Sequence, residues 1–168
     1  MTTVLQAARE KLNSVTPLKR DCGRVCGAAC CRPAGGEETG MLLFPGEEEA
    51  YSGRAGWTIR ETAMGPMAIC PGACDRNERP LACRLFPLLP LIRADGEVYA
   101  AVDRRAKAVC PLARQGRSAV DPAFAEAVRE AGSLLAGDGE QAAFLKRLAE
   151  EQEELKRLRR ALGGGERV

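Results

Sequence analysis

The sequence predicts an α+β fold: short β-hairpins lie between an N-terminal helix and a C-terminal helical hairpin. Three observations carry this. Alternating, turn-punctuated segments run from 57 to 102, helical periodicity dominates from 121 onward, and all eight cysteines fall between 22 and 110. The 168 residues suit one domain with an addition. Residues 1–117 carry the cysteines and 118–168 form a cysteine-free helical appendage.

Residues 3–15 form an amphipathic helix, with Val4, Leu5, Ala8, Leu12 and Val15 on one side and Pro17 ending it. Residues 20–34 hold the first cysteines. Residues 33–53 carry Glu37, Glu38, Glu47, Glu48 and Glu49 and no basic side chain; the last three read as a solvated helix start after the Pro45-Gly46 turn. Residues 57–62 alternate as a strand, and Met67–Cys70 is its hairpin partner across Gly65-Pro66. Pro80 opens and Pro87 closes a short helix. Leu88–Arg93 and Glu97–Val102 are strands joined by Ala94-Asp95-Gly96. Asp121-Pro122 caps a helix that runs to about Ala136, with Phe124, Val128, Leu134 and Leu135 on its apolar side. A last helix, 140–162, carries Phe144, Leu145, Leu148, Leu155, Leu158 and Leu162, with a polar interruption near Gln152. These C-terminal helices are the expected docking place for a protein partner.

Composition excludes several roles. With 25 basic and 23 acidic side chains, the net charge of +2 gives no general electrostatic case for nucleic acid or a membrane surface. Residues 76–117 hold nine basic and four acidic side chains, but aromatics are only 4% of the chain, so base-stacking platforms are scarce. Pairing with the acidic 33–53 stretch is the expected use of that charge. The chain has no run of 18 apolar residues to span a bilayer. Leu, Ile, Val and Phe total 34 residues, about 20%, at the boundary below which chains tend to stay unfolded. So lean a core needs a staple.

The cysteines are Cys22, Cys26, Cys30, Cys31, Cys70, Cys74, Cys83 and Cys110, and there is no histidine. Eight allow four disulfides, but the first residues lack a basic region followed by an apolar stretch, so no secretory signal is read and a cytoplasmic, reducing location is expected. Clustered thiols there bind metal or do redox work. The missing histidine excludes mixed Cys/His zinc sites and a His-built zinc hydrolase, leaving sulfur ligation of zinc or an iron–sulfur cluster. On one helix, Cys22, Cys26 and Cys30 would drift by about 40° per four-residue step along a shared face; Cys70 and Cys74 repeat the step. Cys30 and Cys31 are adjacent and suit two different ions, one ligand and one bystander, or a strained vicinal disulfide. Two four-cysteine sites would use all eight thiols, whereas one leaves four for structure or redox work.

The Cys22, Cys26, Cys30-Cys31 opening, the Cys70-Pro71-Gly72-Ala73-Cys74 pair and the segment Arg79-Pro80-Leu81-Ala82-Cys83-Arg84-Leu85-Phe86-Pro87 resemble the YkgJ-type cysteine-cluster family over about residues 20–112. The usual opening of that family has two residues between cysteines; here there are three. The resemblance implies a zinc- or iron-chelating domain, in some members an iron–sulfur oxidoreductase. Beside it, Arg79 and Arg84 are candidates to donate to a thiolate or cluster sulfide, while Leu85 and Phe86 would shield the site. The expected function is a cysteine-ligated metal-binding protein holding an iron–sulfur cluster, with an electron-transfer or accessory redox role. The alternatives are a zinc-stabilised binding module without catalysis and a thiol redox sensor using Cys30–Cys31.

Overall fold

The computed structural model describes residues 3–32, 35, 38–72 and 74–163. The chain runs α1 (Thr3–Lys11), α2 (Cys22–Cys26), β1 (Gly40–Leu42), β2 (Thr58–Thr62), β3 (Gly65–Ile69), α3 (Leu81–Leu85), β4 (Leu88–Ile92), β5 (Val98–Val102), α4 (Pro111–Gln115), α5 (Pro122–Ala136) and α6 (Gly139–Ala161), with single 3-10 turns between some of them. It is a mixed α+β architecture. One sheet has the order β1-β3-β2, the other is the hairpin β4-β5, and every pairing is antiparallel.

The helix starts follow from capping. Asp121 accepts from Ala123 N at 2.8 Å with Pro122 as the first helical residue, and Asp138 accepts from Glu140 N and Gln141 N, each at 3.1 Å. The β4–β5 hairpin turns at Asp95-Gly96, where Asp95 accepts from Glu97 N at 2.9 Å. The other hairpin corrects the expected turn. Gly65 and Pro66 lie inside β3, opposite Thr62 and Glu61, and the reversal occurs at Ala63-Met64. The Thr62 hydroxyl closes that turn, donating to Gly65 O at 2.6 Å and accepting from Met64 N at 3.2 Å. Pro66 has no N–H to offer, but its carbonyl accepts from Leu43 N at 2.8 Å.

One core joins the two ends of the chain. Leu5, Ala8 and Leu12 of α1 meet Leu81 and Leu85 of α3, Leu88 of β4, Phe124, Val128, Ala131 and Leu135 of α5, and Phe144, Leu145 and Leu148 of α6. The helices expected as an appendage therefore complete the same core that holds α3. α5 approaches the β4–β5 hairpin so closely that a Cβ on Gly132 would meet Pro90 Cβ at 2.3 Å and Val98 Cγ1 at 2.8 Å. Leu134 turns outward, and Ala131 takes the inward place. The polar interruption in α6 is also inward: Gln152 donates to Asp103 Oδ1 at 3.1 Å and accepts from Arg104 N at 2.9 Å. Beyond it, α6 outruns the core, leaving Leu158 52% and Leu162 86% exposed. Among the described residues, no helix is long and apolar enough to cross a membrane.

Candidate functional site

The four-residue cysteine step does not stay on one helix. Asp21 caps α2 by accepting from Gly23 N at 3.0 Å, and the helix stops at Cys26 because Gly27 and Ala28 both take left-handed backbone angles, φ 67° and 57°. Ala28 lacks glycine's freedom there, a conformation that costs a non-glycine residue roughly 1–2 kcal/mol. Its N–H closes on Gly23 O at 2.8 Å, while its carbonyl accepts from Cys31 N at 2.8 Å and Arg32 N at 3.0 Å. This reversal carries Cys30 and Cys31 back beside the rest of the chain instead of along a helix face.

The Cys31 segment is tied to the Cys70 segment. Thr39 Oγ1 donates to Cys31 O at 3.3 Å, Cys70 N donates to Thr39 O at 3.0 Å, and Arg32 Nε donates to Gly72 O at 3.2 Å. Gly72, at φ 85°, turns its own N–H onto Cys70 Sγ at 3.3 Å. Such an N–H donor favours the thiolate and tunes any metal bound to it. Ala73 lies outside the described residues.

Cys83 comes from α3, between the buried Ala82 and Arg84. Glu47 fixes the start of that helix. Its Oε1 accepts from Leu81 N at 2.9 Å and from Arg9 Nη1 at 3.2 Å, and its Oε2 accepts from Phe44 N at 3.0 Å. The expectation of a solvated helix start at 47–49 is corrected for this residue: Glu47 is fully buried. Burial pushes its carboxyl above the usual range, against the pull of these three donors. The stretch leading to Cys83 is held as well. Tyr51 donates to Glu78 O at 2.9 Å, Arg9 Nη2 to Asn77 O at 3.0 Å, and Arg76 to the carbonyls of Leu12 and Val15. The acidic segment finds its described charge partners in α1 and β2, Glu47 with Arg9 and Glu38 with Arg60, rather than in 76–117; Glu37 lies outside the described residues.

The thiols sort into two groups by the charge each feels. Burial pushes Cys83 well up, and Cys31, Cys74 and Cys70 add to it. Cys70 is raised by burial, against the Gly72 N–H, with Cys74 and Cys31 beside it. Burial raises Cys22, helped by Cys26, Asp21 and Cys110, and Cys30 also feels Cys22 and Cys26. The first set is thus Cys31, Cys70, Cys74 and Cys83; the second is Cys22, Cys26, Cys30 and Cys110. The sets meet at one peptide bond. Cys30 Sγ lies 3.9 Å from Cys31 Sγ, and this hydrogen bond lowers Cys31 to about 6, with Arg79 and Arg32 assisting against burial, while Cys30 rises. All eight thiols are free. As they stand, no group of three or more Cys, Asp or Glu among the described residues is close enough to hold a metal ion. What fits a soft ion is the donor chemistry: four sulfurs in each group, with histidine absent from the whole chain.

The two arginines part company. Arg79 sits among the first set: burial works against its charge, but Cys74, Cys31 and Cys83 raise its pKa. Arg84, expected at the same site, is corrected. It is 5% exposed and donates to Asn13 Oδ1 at 2.6 Å and Arg9 O at 3.4 Å, so it clamps α3 to α1. Burial lowers its pKa, and no thiol acts on it. Leu85 likewise belongs to the main core, whereas Phe86 packs near Cys110 with Ala106 and Ala113.

Two features escaped the sequence reading. Glu47 left one trace, its place three residues after Phe44 behind a Pro-Gly turn. A cavity of about 390 Å³ beside the first set, walled in part by Met41, Trp57 and Met67, left none, because its walls come from distant segments. Comparison with protein-family models, curated proteins and solved structures finds no match, so the likeness to the YkgJ-type family rests on the motif residues alone.

Proposed function

We propose that this protein is a cysteine-ligated metal-binding protein with an electron-transfer or accessory redox role. Cys31, Cys70, Cys74 and Cys83 would hold an iron–sulfur cluster, and Cys22, Cys26, Cys30 and Cys110 a second centre. The observation that carries the reading is that Cys31, Cys70, Cys74 and Cys83 line one cavity with Arg79, and Cys30 joins them at its edge through Cys31. A bound cluster supplies one-electron transfer. The chain's own residues do the rest: the Gly72 N–H and the Arg79 charge balance the thiolates, and apolar neighbours such as Phe86 and Met67 lower the local dielectric. Eight free thiols suit a reducing compartment such as the cytoplasm. The exposed leucines on the overhang of α6 support a protein partner there.

Zinc on both sets is the second reading. It is favoured by the fourfold sulfur count on each side and by the lean core, since structural zinc contributes about 10–16 kcal/mol of apparent binding free energy. Anaerobic purification decides between the two. Brown protein with a broad absorption near ~400 nm and iron with acid-labile sulfide is expected for thiolate-held clusters. Colourless protein with about two zinc per chain would replace the iron–sulfur assignment with the zinc one.

A further inference from the structure

The acidic 33–53 stretch does not neutralise the basic half of the cysteine region, because its described partners are Arg9 and Arg60. That leaves a positive surface on the two segments that carry the second thiol set. Residues 19–32, with Cys22, Cys26 and Cys30, hold four basic side chains and one acid, Asp21. Residues 104–120, with Cys110, hold five basic side chains and no acid. Of the acids that flank the second segment, Asp103 is buried against Arg105 and Gln152, and Asp121 caps α5.

The two segments lie side by side. Asp121 N donates to Pro17 O at 2.8 Å, which sets the chain before Lys19 against the chain after Arg117. At the other end, Val109 shares the wall of one cavity with Cys30 and Cys31. Lys19, Arg20, Arg24, Arg114 and Arg117 are exposed. Arg24 reaches Asp21 at 3.9 Å, while Lys19, Arg20, Arg114 and Arg117 pair with no carboxylate among the described residues. Like charges that the fold holds together repel, and a partner of opposite sign relieves that repulsion.

The form of the surface selects the partner's class. Neither segment contains Phe, Tyr or Trp, so unpaired bases find nothing to stack on. Its helices, α2 and α4, have five residues each, too few to read a duplex groove. Among the described residues, Val25, at 55%, is the one large apolar side chain exposed on either segment, too little to enter a lipid surface. One apolar side chain inside a basic rim suits a small, charge-steered protein interface instead.

We infer that the surface formed by residues 19–32 and 104–120 is the docking site for an acidic partner protein, whose carboxylates meet Lys19, Arg20, Arg24 and Arg117 around Val25. The partner's role rests on the electron-transfer reading above. It is the one-electron carrier for the second centre, one centre being oxidised as the other is reduced.

The test uses the full chain as isolated anaerobically, with labelled oligoglutamate as the probe and fluorescence anisotropy as the readout. Single-stranded and duplex DNA of the same formal charge, and vesicles containing phosphatidylserine, serve as competitors. Oligoglutamate should bind saturably, and about tenfold more weakly at ~0.15 M than at ~0.02 M salt. Lys19→Glu with Arg117→Glu, one change on each segment, should weaken it about tenfold with Tm and metal content unchanged. Arg20→Glu with Arg24→Glu is the second pair and should do the same. Arg159→Glu with Arg160→Glu makes the same change in net charge at the C-terminal end of α6 and should alter binding by less than about twofold. No saturable binding, an equal loss in the α6 control, or stronger competition by DNA or vesicles than by unlabelled oligoglutamate would overturn the proposal. Elemental analysis of the same samples separates the two readings. Zinc-loaded protein that binds oligoglutamate through Lys19 and Arg117 refutes the iron–sulfur reading alone, and iron–sulfur protein that does not bind it refutes the docking site alone.

Discussion

The two thiol sets are built differently although their sequence spacings look alike. Cys83 sits on a helix whose other residues are buried, and Cys70 follows the central strand of a sheet. A buried carboxylate and a buried arginine tie that region to Arg9 of α1, Arg76 ties it to the carbonyls just after α1, and Tyr51 ties it to the segment around Glu47. The second set rests on a five-residue helix with no buried residue, a left-handed reversal and the small satellite cluster around Cys110. The first is fixed by long-range packing, the second by local hydrogen bonds. Local structure opens at lower free energy than a core does, so the two should respond unequally to the same chemistry.

Cysteine substitution should show the largest contrast. Cys83→Ser is expected to lose the first centre and lower Tm by about 10 °C or more, since metal binding and folding are linked there. Cys26→Ser should lose only the second centre, with a Tm drop of about 4 °C or less. Metal per chain and calorimetry on both variants check this, and equal losses would break the contrast.

Next comes Glu47. Glu47→Ala leaves the half-buried Arg9 Nη1 and two backbone N–H groups without their acceptor, and should cost about 3–5 kcal/mol in urea unfolding. Metal should loosen at the first set and stay at the second. Glu47→Gln keeps an acceptor oxygen and should cost about 1–2 kcal/mol.

The same carboxyl gives a smaller, pH-dependent effect. Its pKa is raised in the folded state. The folded protein thus holds the proton more tightly than the unfolded chain, so this contribution to stability is complete below the ordinary glutamate value of about 4.3 and is lost as pH rises through the raised one. Stability measured against pH for wild type minus Glu47→Gln should fall across that window. A flat difference would show the carboxyl to be unshifted.

The smallest effects come from the two turn glycines. Gly72→Ala and Gly27→Ala each place a Cβ at positive φ, for about 1 kcal/mol. Competition with a chelator should release metal sooner from the first set in Gly72→Ala and from the second in Gly27→Ala.

The sequence was most legible where local chemistry decides. Asp121-Pro122, Asp138 and Asp95-Gly96 announce their caps and turn, and the structure has them. It was less legible where a residue's partner is distant. Nothing near Glu47 says that Leu81 and Arg9 will meet it, and nothing near Arg84 says that Asn13 will draw it from the thiols. The four-residue cysteine step misled because helix periodicity was extended through Gly27 and Ala28, where the backbone reverses. The Gly65-Pro66 pair read as a turn because the hydroxyl of Thr62, which closes the reversal earlier, carries no comparable mark.

The Cys30–Cys31 peptide bond has a mechanical consequence. Consecutive Cα atoms stand about 3.8 Å apart across a rigid, planar link, so this unit joins the two sets without slack. A shift of one Cα carries the other with it. A displacement of the locally folded set is therefore passed on to the set that packing holds in place.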